Sequence, residues 1–154
     1  MKPKVRKLLS VLAAVLAVAA GLCLTNVRAF ADNDVCSVAT LNGSYGIQST
    51  GSIVSLGPIG SIAEAGVIKF DGAGGVSQTT TVSLNGLIIN NRASLSGVYQ
   101  VYPDCTGDLA LVLPVAPGVT TTSTFHFVIV EHSKEIRLVN TGAGRIIVGN
   151  ARKQ

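Results

Sequence analysis

From residue 43 onward the chain alternates between apolar and small polar residues, with breaks at glycine, asparagine and aspartate. That two-residue period is the mark of half-buried β-strands, and no long window carries the 3.6-residue period of a helix. Residues 43–54 make the first expected strand, with Tyr45 and Ile47 on one face. The second is 62–70, where Ile62, Glu64, Gly66, Ile68 and Phe70 share a face. Asp71-Gly72-Ala73-Gly74-Gly75 is a turn, because Gly and Asp tolerate left-handed backbone. The third strand is 76–83, and Asn85-Gly86 is a hairpin signal. From Leu87 to Val101 the alternation runs without an evident change of phase, which predicts one long strand bent at Gly97 rather than two short ones. Further strands are expected at 108–113, 121–130, 135–140 and 145–151, with Pro114 to Gly118 as a loop.

The first 31 residues follow a different pattern. Lys2, Lys4, Arg6 and Lys7 precede an apolar run from Leu8 to Leu24, and Ala29-Phe30-Ala31 offers small residues for cleavage. This is the layout of a secretory signal peptide, so residues 1–31 are expected to be removed and 32–154 to form a single domain. Cys23 follows the bulky Leu22, which does not suit lipidation. The assignment changes the charge picture. The whole chain has 154 residues and a formal charge of +4. Cleavage removes five of the twelve basic residues and none of the eight acids, leaving seven against eight, or −1. The remaining basic residues are scattered, with no stripe for binding nucleic acid.

Two cysteines remain after cleavage, Cys36 and Cys105. In an exported domain they are expected to form a disulfide. In an up-and-down meander the first strand begins at the end where the fourth finishes. Cys36 precedes the first strand and Cys105 follows the fourth, so both fall at that end. Splitting the fourth strand would separate them. Eight strands also allow the last to pair antiparallel with the first, predicting an all-β, eight-stranded, antiparallel up-and-down closed barrel without open edges. Residues 34–41 are expected to make a short helical turn plugging the disulfide end.

Gly43-Ser44-Tyr45, opening the first strand, resembles the position at which the calycin group, lipocalins and avidins carry G-x-W. The run Cys36-Ser37-Val38-Ala39-Thr40-Leu41-Asn42-Gly43-Ser44-Tyr45-Gly46 is also similar to small secreted bacterial proteins of unknown function. The resemblance implies a calycin-like barrel and a secreted or periplasmic location. Tyr stands in place of Trp, the chain has no Trp at all, and the expected strands leave no room for the C-terminal helix of lipocalins. An avidin-type biotin cage is therefore not implied, and fold alone does not choose a function.

Few residues suggest chemistry. His126 is expected to face outward and His132 to sit in a turn, neither with an acid or nucleophile in a recognisable motif. No catalytic residue, metal ligand or cofactor is assigned. The turn Gly72-Ala73-Gly74-Gly75 leads into a strand, whereas a phosphate loop needs a helix N-terminus. The outward Ser77, Thr79, Thr81 and Ser83 do not suit a lipid-facing barrel, so no stable membrane insertion is expected after cleavage. Inside, pairing through the turns sets Phe70 against Val76, Glu64 against Val82, Val82 against Ile89 and Thr80 against Asn91. Glu64, Thr80 and Asn91 then cluster away from the disulfide, where they can orient a ligand's polar group, and Gln78 lies nearer the disulfide. Tyr45, Tyr99 and Phe125 complete the candidate ligand-binding set, although with Phe70 and Phe127 they can also fill the interior. The leading expectation is a non-enzymatic protein binding a small apolar ligand or a surface partner. The alternatives are a cyclase or isomerase using Glu64 with Asn91, and a structural or adhesive envelope protein.

Overall fold

The computed structural model describes residues 35–54, 60–116 and 118–154, the side chains of residues 90–93, 115 and 116 excepted. The expected signal peptide, residues 1–31, lies outside the described residues. Eight strands form: β1 (Asn42–Ile53), β2 (Gly60–Asp71), β3 (Gly75–Leu84), β4 (Leu87–Val101), β5 (Thr106–Ala116), β6 (Val119–Val130), β7 (Glu135–Asn140) and β8 (Arg145–Lys153). Each pairs antiparallel with its neighbour in sequence, and β8 returns to β1 from Tyr45↔Lys153 to Ile53↔Arg145. The molecule is thus the closed, eight-stranded, up-and-down barrel that the alternation predicts.

The two ends differ. At one, a single 3-10 turn (Val38–Thr40) precedes β1, and Cys36 is bonded to Cys105 in the β4–β5 turn with Cα atoms 4.9 Å apart. Leu41, fully buried, seals this end against Tyr45, Phe70, Tyr99 and Phe127. Phe70 lies edge-on to both Tyr45 (5.5 Å between ring centres) and Tyr99 (5.0 Å), a geometry that sets ring edges against ring faces. The Tyr99 hydroxyl lies 2.8 Å from the Val38 carbonyl and 2.9 Å from that of Leu41, tying the plug to β4. Tyr45 donates to the Ser133 carbonyl at 2.9 Å. That bond anchors a turn in which Glu131, His132 and Ser133 all have φ between 53° and 64°. Left-handed backbone at three consecutive non-glycine residues is strained, and the anchor helps to hold it.

The hairpin between β3 and β4 turns at Asn85 (φ 51°) and Gly86 (φ 82°), the double left-handed geometry that Asn-Gly favours. β4 is one strand, as predicted, and it crosses β5 tightly at Gly97. A methyl there would stand 2.0 Å from the Ala110 carbonyl oxygen. Its register, however, corrects the expected pairing. Phe70↔Val76 and Glu64↔Val82 occur as predicted, but Thr80 pairs with Ala93 and Val82 with Asn90. Thr81 alone therefore stands opposite Asn91 and Arg92, a β-bulge, and Ile89 is skipped by a second shift. The phase of β4 slips, and Asn91 loses its predicted place opposite Thr80.

A second departure shapes the other end. β4 and β5 pair only from Ser96↔Val112 to Val101↔Gly107 among the described residues. Beyond this, β5 continues through Pro114 paired to β6 alone, where a loop was expected. Proline has no N–H to donate, and a strand that has lost one neighbour tolerates it. The β5–β6 pairing also outruns β7, whose last partner on β6 is Phe125. This end of the barrel is splayed, while the disulfide end is packed.

The disulfide closes a 69-residue separation. Cys36→Ser with Cys105→Ser is expected to lower unfolding free energy by about 4 kcal/mol on the chain-entropy account, read by urea denaturation. No loss would mean that the plug holds without the bond. Tyr99→Phe removes the donor serving the buried plug carbonyls and is expected to cost about 1–2 kcal/mol in the same assay. An unchanged midpoint would contradict the role given to Tyr99.

Candidate functional site: a half-open barrel interior

Inward side chains fill the disulfide half and leave the splayed half hollow. A cavity of about 380 Å³ lies there. Ile53, Ile62, Val82, Ile89, Leu95, Leu111, Leu113, Phe125 and Ile147 supply apolar wall, drawn from seven strands. Eight strands enclose a space that can be filled or can hold one small ligand. This barrel does both, one at each end.

The floor of the cavity is polar. Glu64 faces inward from β2, and Ser49, its partner on β1, donates to Glu64 Oε2 at 2.9 Å. Gln78 Nε2 donates to Glu64 Oε1 and lies 3.4 Å from Thr80 Oγ1. Ser49, Gln78 and Thr80 are buried, while Glu64 is partly accessible. A carboxylate below an apolar cavity needs such donors, because an unpaired charge is expensive to desolvate. Each oxygen has received one hydrogen bond and can accept another. The floor therefore offers a fixed acceptor to a ligand's O–H or N–H.

The sequence candidates divide accordingly. Glu64 and Thr80 come together at the floor, with Gln78 in direct contact. Phe125 lines the wall. Tyr45 and Tyr99 are built into the sealed end, their hydroxyls committed to backbone carbonyls. The Asn91 side chain lies outside the described residues. Sequence reasoning missed Ser49, although its parity with Tyr45 and Ile47 places it inward. It also missed Arg145, which opens β8 and lines the cavity mouth.

Two open grooves lie outside. One of about 580 Å³ runs over β8, β1, β2 and β3 past Gln48, Thr50, Ala65 and Thr81. The other, about 410 Å³, includes Gln100, Asp108 and Thr124. Beside it His126 faces outward as expected, and it has an acidic partner that no sequence motif announces. His126 Nδ1 lies 2.9 Å from Asp108 Oδ1, while Tyr102 and Gln100 donate to Asp108 Oδ2 at 2.7 and 3.2 Å. Register explains the pair: Asp108 on β5 is directly opposite His126 on β6. Both side chains are nearly half exposed, so this is a solvated surface cluster. The hydrogen bond with His126, then those from Tyr102 and Gln100, hold the Asp108 carboxyl below its ordinary value of 3.8.

No family model, curated protein or solved structure matches this chain. The geometry defines it as an antiparallel β-barrel, sealed at one end and hollow at the other. No described helix is long and apolar enough to cross a membrane, and the described residues hold no cluster of three or more potential metal ligands.

Because folding depresses the Asp108 pKa, its contribution to stability is complete above the unfolded value near 3.8 and is lost as pH falls through the lower folded value. His126→Ala is expected to move the Asp108 carboxyl upward in an NMR titration. A carboxyl that titrates unchanged would contradict the pairing.

Proposed function

We propose that the protein is an exported, non-enzymatic binding protein that takes a small apolar ligand into the open half of its barrel. The observation that carries this reading is the cavity of about 380 Å³, walled by aliphatic side chains and floored by Glu64 with its donors. Its volume falls in the range of small-molecule sites, and an apolar wall with few placed polar groups is their usual composition. Burial of apolar surface supplies affinity, and the acceptor at the floor supplies orientation. The basic-then-apolar N-terminal pattern and the disulfide support export. The calycin resemblance agrees with a ligand held inside a barrel, although Gly43-Ser44-Tyr45 is its only short motif.

The enzyme alternative needs Glu64 free to exchange a proton. Ser49 and Gln78 each donate to one of its oxygens and hold the carboxyl in place, an arrangement that suits a stationary acceptor. Binding is therefore the favoured reading.

A lipophilic fluorescent dye is expected to bind the purified chain with a blue-shifted emission. Leu113→Trp, which adds bulk at the mouth, should weaken that binding about tenfold or more while leaving the melting temperature nearly unchanged. A dye that does not bind the wild-type chain, or binds both forms equally, would overturn this assignment.

A further inference from the structure

Among the described residues that line the cavity there is one acid, Glu64, and one base, Arg145. They stand at different levels. Glu64 pairs with Ser49, and Ser49 pairs with Gly149, so these three share the floor. Arg145 pairs with Ile53, four residues further along β8 toward the mouth. At the usual rise of a strand, that is about 13 Å between the two levels.

The surroundings of Arg145 fix it in place without neutralising it. Its Nη1 donates to Ser123 Oγ at 2.9 Å. Ser123 is buried and also receives Asn140 Nδ2 at 3.0 Å. Both neighbours are uncharged. Arg137, by contrast, pairs with Glu135, and Arg152 with both Glu131 and Glu135. No carboxylate pairs with Arg145 among the described residues. A guanidinium carries five N–H donors in a planar fork and cannot shed its charge. Among the described residues one side-chain hydrogen bond engages it, and the cation borders an apolar cavity.

We propose that Arg145 is the head-group site of this cavity, taking the anionic group of an amphiphile whose apolar part runs down the barrel toward Glu64. The assignment rests on the reading that the cavity binds an apolar ligand, and adds the chemical class. A carboxylate matches the guanidinium fork through two parallel hydrogen bonds. Glu64 fixes the direction, because an anion at the floor would meet a like charge. The acidic end therefore sits at the mouth, and a hydroxyl or amine, where the ligand has one, sits at the floor. The ligand class is a medium-length apolar acid, with or without a donor at its far end.

The test is displacement of the bound dye by decanoate and by decanol, from the wild-type chain, Arg145→Gln and Arg145→Lys. Decanoate is expected to compete better than decanol on the wild type. It should lose about tenfold or more in Arg145→Gln, the size expected for a lost charge-assisted hydrogen bond, and regain part of that in Arg145→Lys. Decanol should be unaffected by either change. The wild-type comparison does not depend on whether a variant folds, and a thermal melt checks each variant that is used. If dye and decanol bind but decanoate has no advantage, the Arg145 assignment falls and the cavity reading stands. If neither dye nor decanol enters the wild-type barrel, the cavity reading falls and takes this one with it.

Discussion

Everything in this structure depends on the pairing of β8 with β1. Nine residues of β8 lie antiparallel to β1 in an unbroken register from Arg145 to Lys153. That seam satisfies the outer backbone groups of both strands at once and turns a meander into a barrel. It also decides which side chains face inward. Because the period of a strand is two, a slip of one residue would send Ile147, Ala151 and Arg145 to solvent together. The partial burial of Arg145 and the burial of Ile147 and Ala151 follow from this one register.

Closure leaves an interior that the sequence fills unevenly. Aromatic side chains from β1, β2, β4 and β6 occupy the disulfide end, where Leu41 and the 3-10 turn cap them. Toward the other end the inward residues are mostly aliphatic, β4 and β5 part company, and the β5–β6 hairpin projects past its neighbours. Loss of packing and loss of pairing occur together there. The stability of the barrel is thus concentrated at one end, leaving the other free to be hollow. Such a division is common where a rigid scaffold carries a binding region.

Much of the fold was legible in the sequence because strands announce themselves by period, and turns by residues that tolerate left-handed backbone. Asn85-Gly86 and Asp71-Gly72 are local signals, and the structure places both where expected. The two cysteines supplied the long-range restraint: an unsplit fourth strand brings Cys36 and Cys105 to one end. Three features were not legible. The slip in β4 arises from two register shifts, whereas hydrophobic alternation reports phase only where each residue has a partner. The extension of β5 through Pro114 depends on β4 having left, a tertiary fact that a local proline rule cannot include. The pairing of Asp108 with His126 joins residues on two strands, and only their exact register sets them opposite one another. For the interior, parity placed Glu64, Thr80 and Phe125 correctly on the inner face. It could not separate Tyr45 and Tyr99, which face inward at the sealed end, from residues that line open space. Depth along the barrel, not face, makes that distinction.

The central claim is that the interior is divided into a sealed half and an open half that accepts an apolar molecule. Methyl-labelled NMR of the purified chain during titration with decanol addresses it most directly. The account predicts shift changes for the methyls of Leu95, Leu111, Leu113 and Ile147, which line the cavity, and none for those of Leu41 and Ile68, which are fully buried at the sealed end. Changes centred on Leu41 and Ile68, or no changes inside the barrel at all, would contradict it.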